Sequence, residues 1–256
     1  MSTTNHLPIT LLFNDLKAHF VHEPHWWPIH GLDVAFETTI GMVLVQQTRW
    51  EVVEAAVIRL RNAGILSFED LANADAGIVA TLCKPCAFYT RKGQALVALA
   101  QQICAYQGGM AAILAQPRML ARNTLLSLPQ IGRESADTIL LYAGHHPLFI
   151  VDAYARRFLS RTSILQTSMN VLRAPYDEVQ ALFEAQYPLH DAATAREVHA
   201  MMVEVCIHHC TANRPRCMQP GYHRTFVDVR KCAAHCVSCQ HCPAMSVCAH
   251  HDKFKD

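Results

Sequence analysis

The sequence has no apolar run of the roughly 18 residues that a membrane-spanning helix needs. Its first residues, MSTTNHLPIT, carry no basic stretch followed by an apolar one, so no secretory leader is expected. Both absences predict a protein with no membrane partner, held in the reducing cytoplasm. Net charge is also scarce, at +1, and gives bulk electrostatics little part in binding nucleic acid. Strand-like alternation hardly occurs, and there are no repeats and no long low-complexity linker. Tryptophan is limited to three residues, so where they stand carries information.

The chain has 256 residues, of which 51% are hydrophobic, enough for one large or two small domains with a proper core. Of the 22 basic residues only six are lysine (17, 84, 92, 231, 253 and 255). The rest are arginine, whose planar fork suits phosphate. Arg156, Arg157 and Arg161 follow Asp152, and Arg214, Arg216, Arg224, Arg230 and Lys231 lie further on. For each, solvated surface and phosphate contact stay equally open. Eight of the 11 cysteines fall between 206 and 248, a clustering that in a reducing compartment points to metal rather than disulfides.

Helical patterns dominate. Residues 11–20 are amphipathic, HEPHWWPIHG reads as an ordered loop, and 36–45 reads as a buried helix. Thr48 with Glu51 forms a capping box, Ser67 with Asp70 a second, and Asp75 and Thr90 stand where N-caps belong. Further helices are expected over 117–127, 152–162, 176–187 and 191–209. Between them, LPQIGRESADTILLYAGHHPLFIVD (128–152) reads as a tight turn, a helix, a short apolar extended run and an N-cap aspartate. By periodicity alone that is a buried helix, a connector and a capped helix.

Three constellations carry chemistry. Six residues separate Cys210 from Cys217, and two and five separate Cys239, Cys242 and Cys248. Four thiolates so spaced fit a cubane 4Fe–4S cluster. Zinc is the rival, with Cys232, Cys236, His235 and His223 as further donors. Trp26, Trp27 and Pro28, with Trp50, place aromatic faces in a loop, where they suit either core packing or a stacked nucleobase. Gln46 and Gln47 end an apolar helix, either as a solvated terminus or as polar groups able to fill a gap in a duplex.

From about Trp26 to Cys248 these features resemble the endonuclease III superfamily of helix-hairpin-helix DNA glycosylases. LPQIGRESAD is similar to that family's hairpin, typically LPGVGRKTA, and FIVDAYARRFLSR to the segment bearing its catalytic aspartate, which becomes Asp152. CTANRPRC resembles the start of its iron–sulfur loop, and the Cys242–Cys248 spacing the end. Within the superfamily, WWP, QQTRWE and FYTRKGQAL are most similar to the 3-methyladenine glycosylase branch.

The resemblance implies an all-α protein of two helical lobes with a cleft for DNA. A barrel lobe would span 34–148 and hold the helix-hairpin-helix at about 118–144. Residues 1–33 with 149–256 would form the other, with the cluster loop at 210–248. It implies a monomeric enzyme of base excision repair acting on double-stranded DNA with a damaged base. Alkylated purines such as 3-methyladenine and 7-methylguanine would stack on Trp26, Trp27, Pro28 and Trp50. Asp152 would stabilise the oxocarbenium-like charge, Gln46 and Gln47 would probe the duplex, and Leu128, Pro129, Gln130, Ile131, Gly132 and Arg133 would hold a phosphate, directly or through a monovalent cation. Four of Cys210, Cys217, Cys239, Cys242 and Cys248 would bind the cluster; flanking residues favour Cys217 and local spacing Cys239, and the other is spare.

Two departures matter. The family's bifunctional lyases carry a lysine two residues after the second hairpin glycine, and Glu134 stands there. Without that amine no Schiff base with the sugar forms from this position, which implies hydrolysis without strand cleavage. The cluster loop is also longer by about 20 residues, because 218–238 is inserted. The rivals are an adenine-mismatch glycosylase, whose expected glutamate is Met42 here, an oxidised-pyrimidine glycosylase, disfavoured by Glu134, and a non-catalytic binder of DNA structure.

Overall fold

A computed structural model describes residues 9–19, 27, 30–162, 164–213, 244, 247 and 248. The described residues hold twelve α-helices and no strand, in line with the all-α expectation. The chain divides into two compact units, one of Trp27–His146 and one of Met1–Trp26 with Pro147–Asp256.

The unit of Trp27–His146 is built around α2 (Val34–Leu44). Asp33 caps it by accepting from the Phe36 amide at 3.0 Å. Every residue from Phe36 to Leu44 is buried, as expected of a helix that is apolar on almost all sides. Its one buried carboxylate, Glu37, accepts from the His30 amide at 3.0 and 3.1 Å. Next come α3 (Trp50–Asn62), α4 (Phe68–Asn73), α5 (Ala76–Leu82), α6 (Tyr89–Ala105) and α7 (Gly109–Leu114). Ser67 and Asp75 cap α4 and α5 as their spacing predicts. Thr90 caps nothing, because it lies inside α6, whose N-cap is Phe88 in a left-handed conformation (φ 56°). Helices α5 and α6 meet backbone to backbone: a Cβ on Gly93 would lie 2.5 Å from Ala80 Cα.

The helices α8 (Arg118–Leu126) and α9 (Arg133–Tyr142) flank the hairpin turn. A bidentate pair locks them together: Arg122 Nε and Nη2 donate to the Asp137 carboxylate at 2.6 and 3.1 Å. Asp137 is wholly buried and Arg122 nearly so.

The other unit contains α1 (Ile9–His19), α10 (Ala153–Thr162), α11 (Tyr176–Gln186) and α12 (Ala192–His208) around one apolar core. At its centre Phe149 stacks on Phe183 at 3.7 Å, and Phe13 meets Phe183 edge-on. The extended run Leu148–Val151 is buried without a neighbouring strand among the described residues, so its backbone needs other partners. One face of α11 supplies them. Glu184 accepts from the Phe149 amide at 2.8 Å, Gln180 donates to the Phe149 carbonyl at 2.7 Å, and the Tyr176 hydroxyl accepts from the Val151 amide at 3.3 Å. Positions 176, 180 and 184 are successive turns of a helix, so one face holds the whole run.

Arg122→Met should cost about 3–5 kcal/mol, because it takes the guanidinium from a buried carboxylate. Urea denaturation measures it; a loss under about 1 kcal/mol would show that the pair is not what joins α8 to α9.

Candidate functional site

Asp152 ends the run held by α11 and opens α10. Its Oδ1 accepts from the Ala155 amide at 2.6 Å, the N-cap bond its position predicts. Its Oδ2 lies 3.5 Å from Nε2 of His199 on α12. The Asp152 side chain is only 13% exposed and that of His199 11%, so the pair is largely withdrawn from water. His199 carries no local sequence signal; it lies on the same stripe of α12 as buried Ala195, Val198 and Met202.

The hairpin turn is anchored by its apolar residues. Leu128 and Ile131 are buried, Pro129 is half-buried, and Gln130, Gly132 and Arg133 are exposed. The turn's left-handed residue is Gln130 (φ 63°), not a glycine. A Cβ on Gly132 would meet nothing within 4 Å, so the backbone there faces open space at the start of α9. Glu134 is exposed in the first turn of α9.

In the same unit the Gln46–Thr48 loop is tied to the turn. Gln46 Nε2 donates to the Gln130 carbonyl at 3.0 Å, so this carboxamide braces the hairpin and Gln47 is the exposed member of the pair. Gln47 is held left-handed (φ 55°). Lys92 fixes the loop from below, donating to the Leu44 carbonyl at 2.7 Å, the Gln46 carbonyl at 2.6 Å and Thr48 Oγ1 at 2.9 Å. Burial pushes its ammonium below the ordinary lysine value, against Cys86 and Cys83. Thr48 therefore does not form the expected capping box. Its hydroxyl accepts from Lys92 and from the Ala87 amide at 3.1 Å, and α3 starts after Arg49 with no side-chain cap. The Ala87 bond brings Phe88, a residue 64% exposed, beside this loop. A lysine on the buried stripe of α6 (92, 96, 99, 103) was a legible sign of this clasp; Phe88 had none.

Aromatic side chains gather elsewhere in this unit. Trp27 meets Trp50 at 5.4 Å and Tyr142 at 4.9 Å, both edge to face. Both indoles pack over Gly41, where a Cβ would come within 3.3 Å of Trp27 and 3.6 Å of Trp50. The indole N–H of Trp27 is buried and has no hydrogen-bond partner among the described residues. Tyr142 and Gly41 escape a reading by motif, because they come from other helices. Trp26 and Pro28 lie outside the described residues.

Cys217, Cys239, Cys242 and the insert 218–238 also lie outside them, as do Arg214, Arg216, Arg224, Arg230, Lys231 and the rival zinc donors. Cys210 and Cys248 are described, and no group of three metal-ligating side chains occurs among the described residues. Cys210 has the setting of a thiolate. A hydrogen bond from Cys206 and the guanidinium of Arg161, 3.0 Å from its sulfur, bring its thiol down to about 6 against burial. A thiol that ionises there suits a metal ligand. The arginines after Asp152 are half-buried and turn their guanidinium groups to backbone carbonyls. Arg156 donates to the Val171 and Ala174 carbonyls, Arg157 to Cys210 and Cys206, and Arg161 to Cys210, Thr211 and Ala212. They bind backbone left unpaired at the ends of helices and turns.

Comparison with known proteins places this arrangement. Residues 40–187 match the family described as HhH-GPD superfamily base excision DNA repair protein. A candidate DNA repair glycosylase of Methanocaldococcus jannaschii is 31% identical over 201 residues, 78% of this chain and 87% of that relative. The chloroplastic endonuclease III homolog 1 of Arabidopsis thaliana is 28% identical over 71% of this chain and 46% of its own. Among solved structures, H. pylori 3-methyladenine DNA glycosylase bound to 1,N6-ethenoadenine matches with a TM-score of 0.61 at 26% identity, over 76% of this chain and 94% of that one. An endonuclease III–DNA covalent intermediate matches 97% of both chains with a TM-score of 0.70; at 20% identity it shows the fold. The chain belongs to the HhH-GPD superfamily of base excision DNA repair proteins and has the all-helical fold of endonuclease III.

Proposed function

We propose that this DNA glycosylase excises alkylated purines from double-stranded DNA and breaks only the N-glycosidic bond. The observation that carries the substrate is the cluster of Trp27, Trp50 and Tyr142 over Gly41. N3- or N7-alkylation makes a purine cationic and a good leaving group. Aromatic faces attract such a ring, by about 0.5–2 kcal/mol through cation–π contact. The likeness to a 3-methyladenine glycosylase bound to an ethenoadenine supports the same reading.

Asp152 is the catalytic carboxylate of the proposal. As the C1′–N bond breaks, its electrons leave with the purine and neutralise the alkylated ring. The carboxylate stabilises the positive charge growing on the sugar and accepts a proton from the water that attacks C1′. Extruding the nucleotide costs a few kcal/mol. Gln47 and Phe88, exposed on joined loops, would fill the gap it leaves. The open face of Gly132 admits a backbone phosphate to the amides at the start of α9, directly or through a monovalent cation.

Glu134 supports cleavage without lyase action, and Lys92 is no substitute, since its ammonium is spent on three oxygens inside the unit. Cys210, Cys242 and Cys248, with either Cys217 or Cys239, are the proposed ligands of a 4Fe–4S cluster. The cluster would staple the end of the chain to α10 and α12; zinc is the other reading of the same donors.

Incubation with methylated duplex should release 3-methyladenine or 7-methylguanine; release of neither, with excision of an oxidised pyrimidine, would overturn the substrate. Asp152→Asn should bind an abasic-analogue duplex normally and lose at least about 100-fold in single-turnover excision. Wild-type excision by that variant would remove Asp152 from the chemistry. Borohydride should trap no covalent adduct on abasic DNA, and an adduct would restore the lyase reading. Anaerobically purified protein should be brown and contain iron; a colourless zinc protein would refute the cluster.

A further inference from the structure

Asp152 has an unusual surrounding for a carboxylate at a helix start. One oxygen takes the ordinary N-cap bond, and the other faces an imidazole from a different helix. We propose that His199 is a positioning residue for Asp152, its Nε2–H holding Oδ2 while the Ala155 amide holds Oδ1. The inference rests on the catalytic reading of Asp152 and says how that carboxylate is aimed.

A side chain on an N-cap can rotate about two bonds, and one hydrogen bond does not fix the plane of its carboxylate. Two anchors, on different oxygens and from different helices, do. Each oxygen has a second lone pair, so the anchored group still has sites for water and for the sugar. The 3.5 Å separation is at the outer edge of a hydrogen bond, and such contacts shorten when substrate packs the site. Burial strengthens the contact, since little water competes for either partner. The imidazole is itself well placed. Val198 beside it is 1% exposed and Met202 is wholly buried, so α12 cannot turn without opening the core. Lys17 of α1 pairs with Glu197 at 2.8 Å and ties down the same turn of α12.

The role asks for reach as well as polarity. Glutamine presents an amide N–H about as far from the backbone as Nε2; asparagine presents the same group one methylene short. His199→Gln should keep single-turnover excision within a few-fold of wild type. His199→Asn should lose up to about 100-fold, the scale set by a misplaced reacting group. Both variants should bind an abasic-analogue duplex and melt as the wild type does. The rate is read on methylated duplex and on a duplex carrying an oxidised pyrimidine, so the answer does not depend on the lesion. Equal rates for the two variants, or losses that follow affinity and melting, would overturn the proposal. If Asp152→Asn keeps full activity, the catalytic reading falls first; if Asp152→Asn is dead and His199→Asn is not, only this inference falls. In the free protein the ring 15N resonances of His199 should move on Asp152→Asn, and unmoved resonances would also refute the contact.

Discussion

The structure around Asp152 depends on satisfying a short extended run that has no strand beside it among the described residues. Leu148–Val151 is apolar enough to be buried, and burial strips water from its amides and carbonyls. A sheet would normally meet that need. Here Tyr176, Gln180 and Glu184, one turn apart on α11, bond the run directly. The stacked rings of Phe149 and Phe183 press the two elements together. The result is a rigid lead into α10, and Asp152 stands where the run ends and the helix begins. A carboxylate on a flexible loop would spend most of its time misdirected.

The unit of Trp27–His146 solves a related problem with a buried cation. The Gln46–Thr48 loop turns through a left-handed Gln47, a conformation that costs energy for a residue with a side chain. Lys92 meets the carbonyls and hydroxyl on both sides of that turn, which makes the strained geometry the favoured one. Thr48 is drawn into this cluster and cannot cap α3. The expected capping box failed because an ammonium and an amide compete for one hydroxyl. The hairpin is joined to the same loop through Gln46 and Gln130, so two segments more than 80 residues apart in sequence form one surface.

Much of the fold was legible in the sequence because it rests on local periodicity. The expected helices at 117–127, 152–162, 176–187 and 191–209 match α8, α10, α11 and α12 to within a residue or two at each end. The N-caps at Ser67, Asp75 and Asp152 were legible too, since capping needs only a side chain and the amides that follow it. Thr90 and Thr48 were not, because their helices start where tertiary contacts place them. The three arginines after Asp152 were read as open between surface and phosphate. They are carbonyl binders, and nothing in their spacing reveals which distant backbone lacks a donor.

The sequence by itself determined the helical class, the family pattern around the hairpin and Asp152, and the replacement of a lysine position by Glu134. Each of these is a matter of residue type at a fixed local spacing. Tertiary structure alone decided that His199 faces Asp152, that Tyr142 and Gly41 complete the cluster of Trp27 and Trp50, and that Gln46 braces the hairpin while Gln47 stays exposed. Those pairings join residues tens of positions apart. Only the packing of buried helix faces brings them within reach, and no periodicity along the chain records where a second helix will cross.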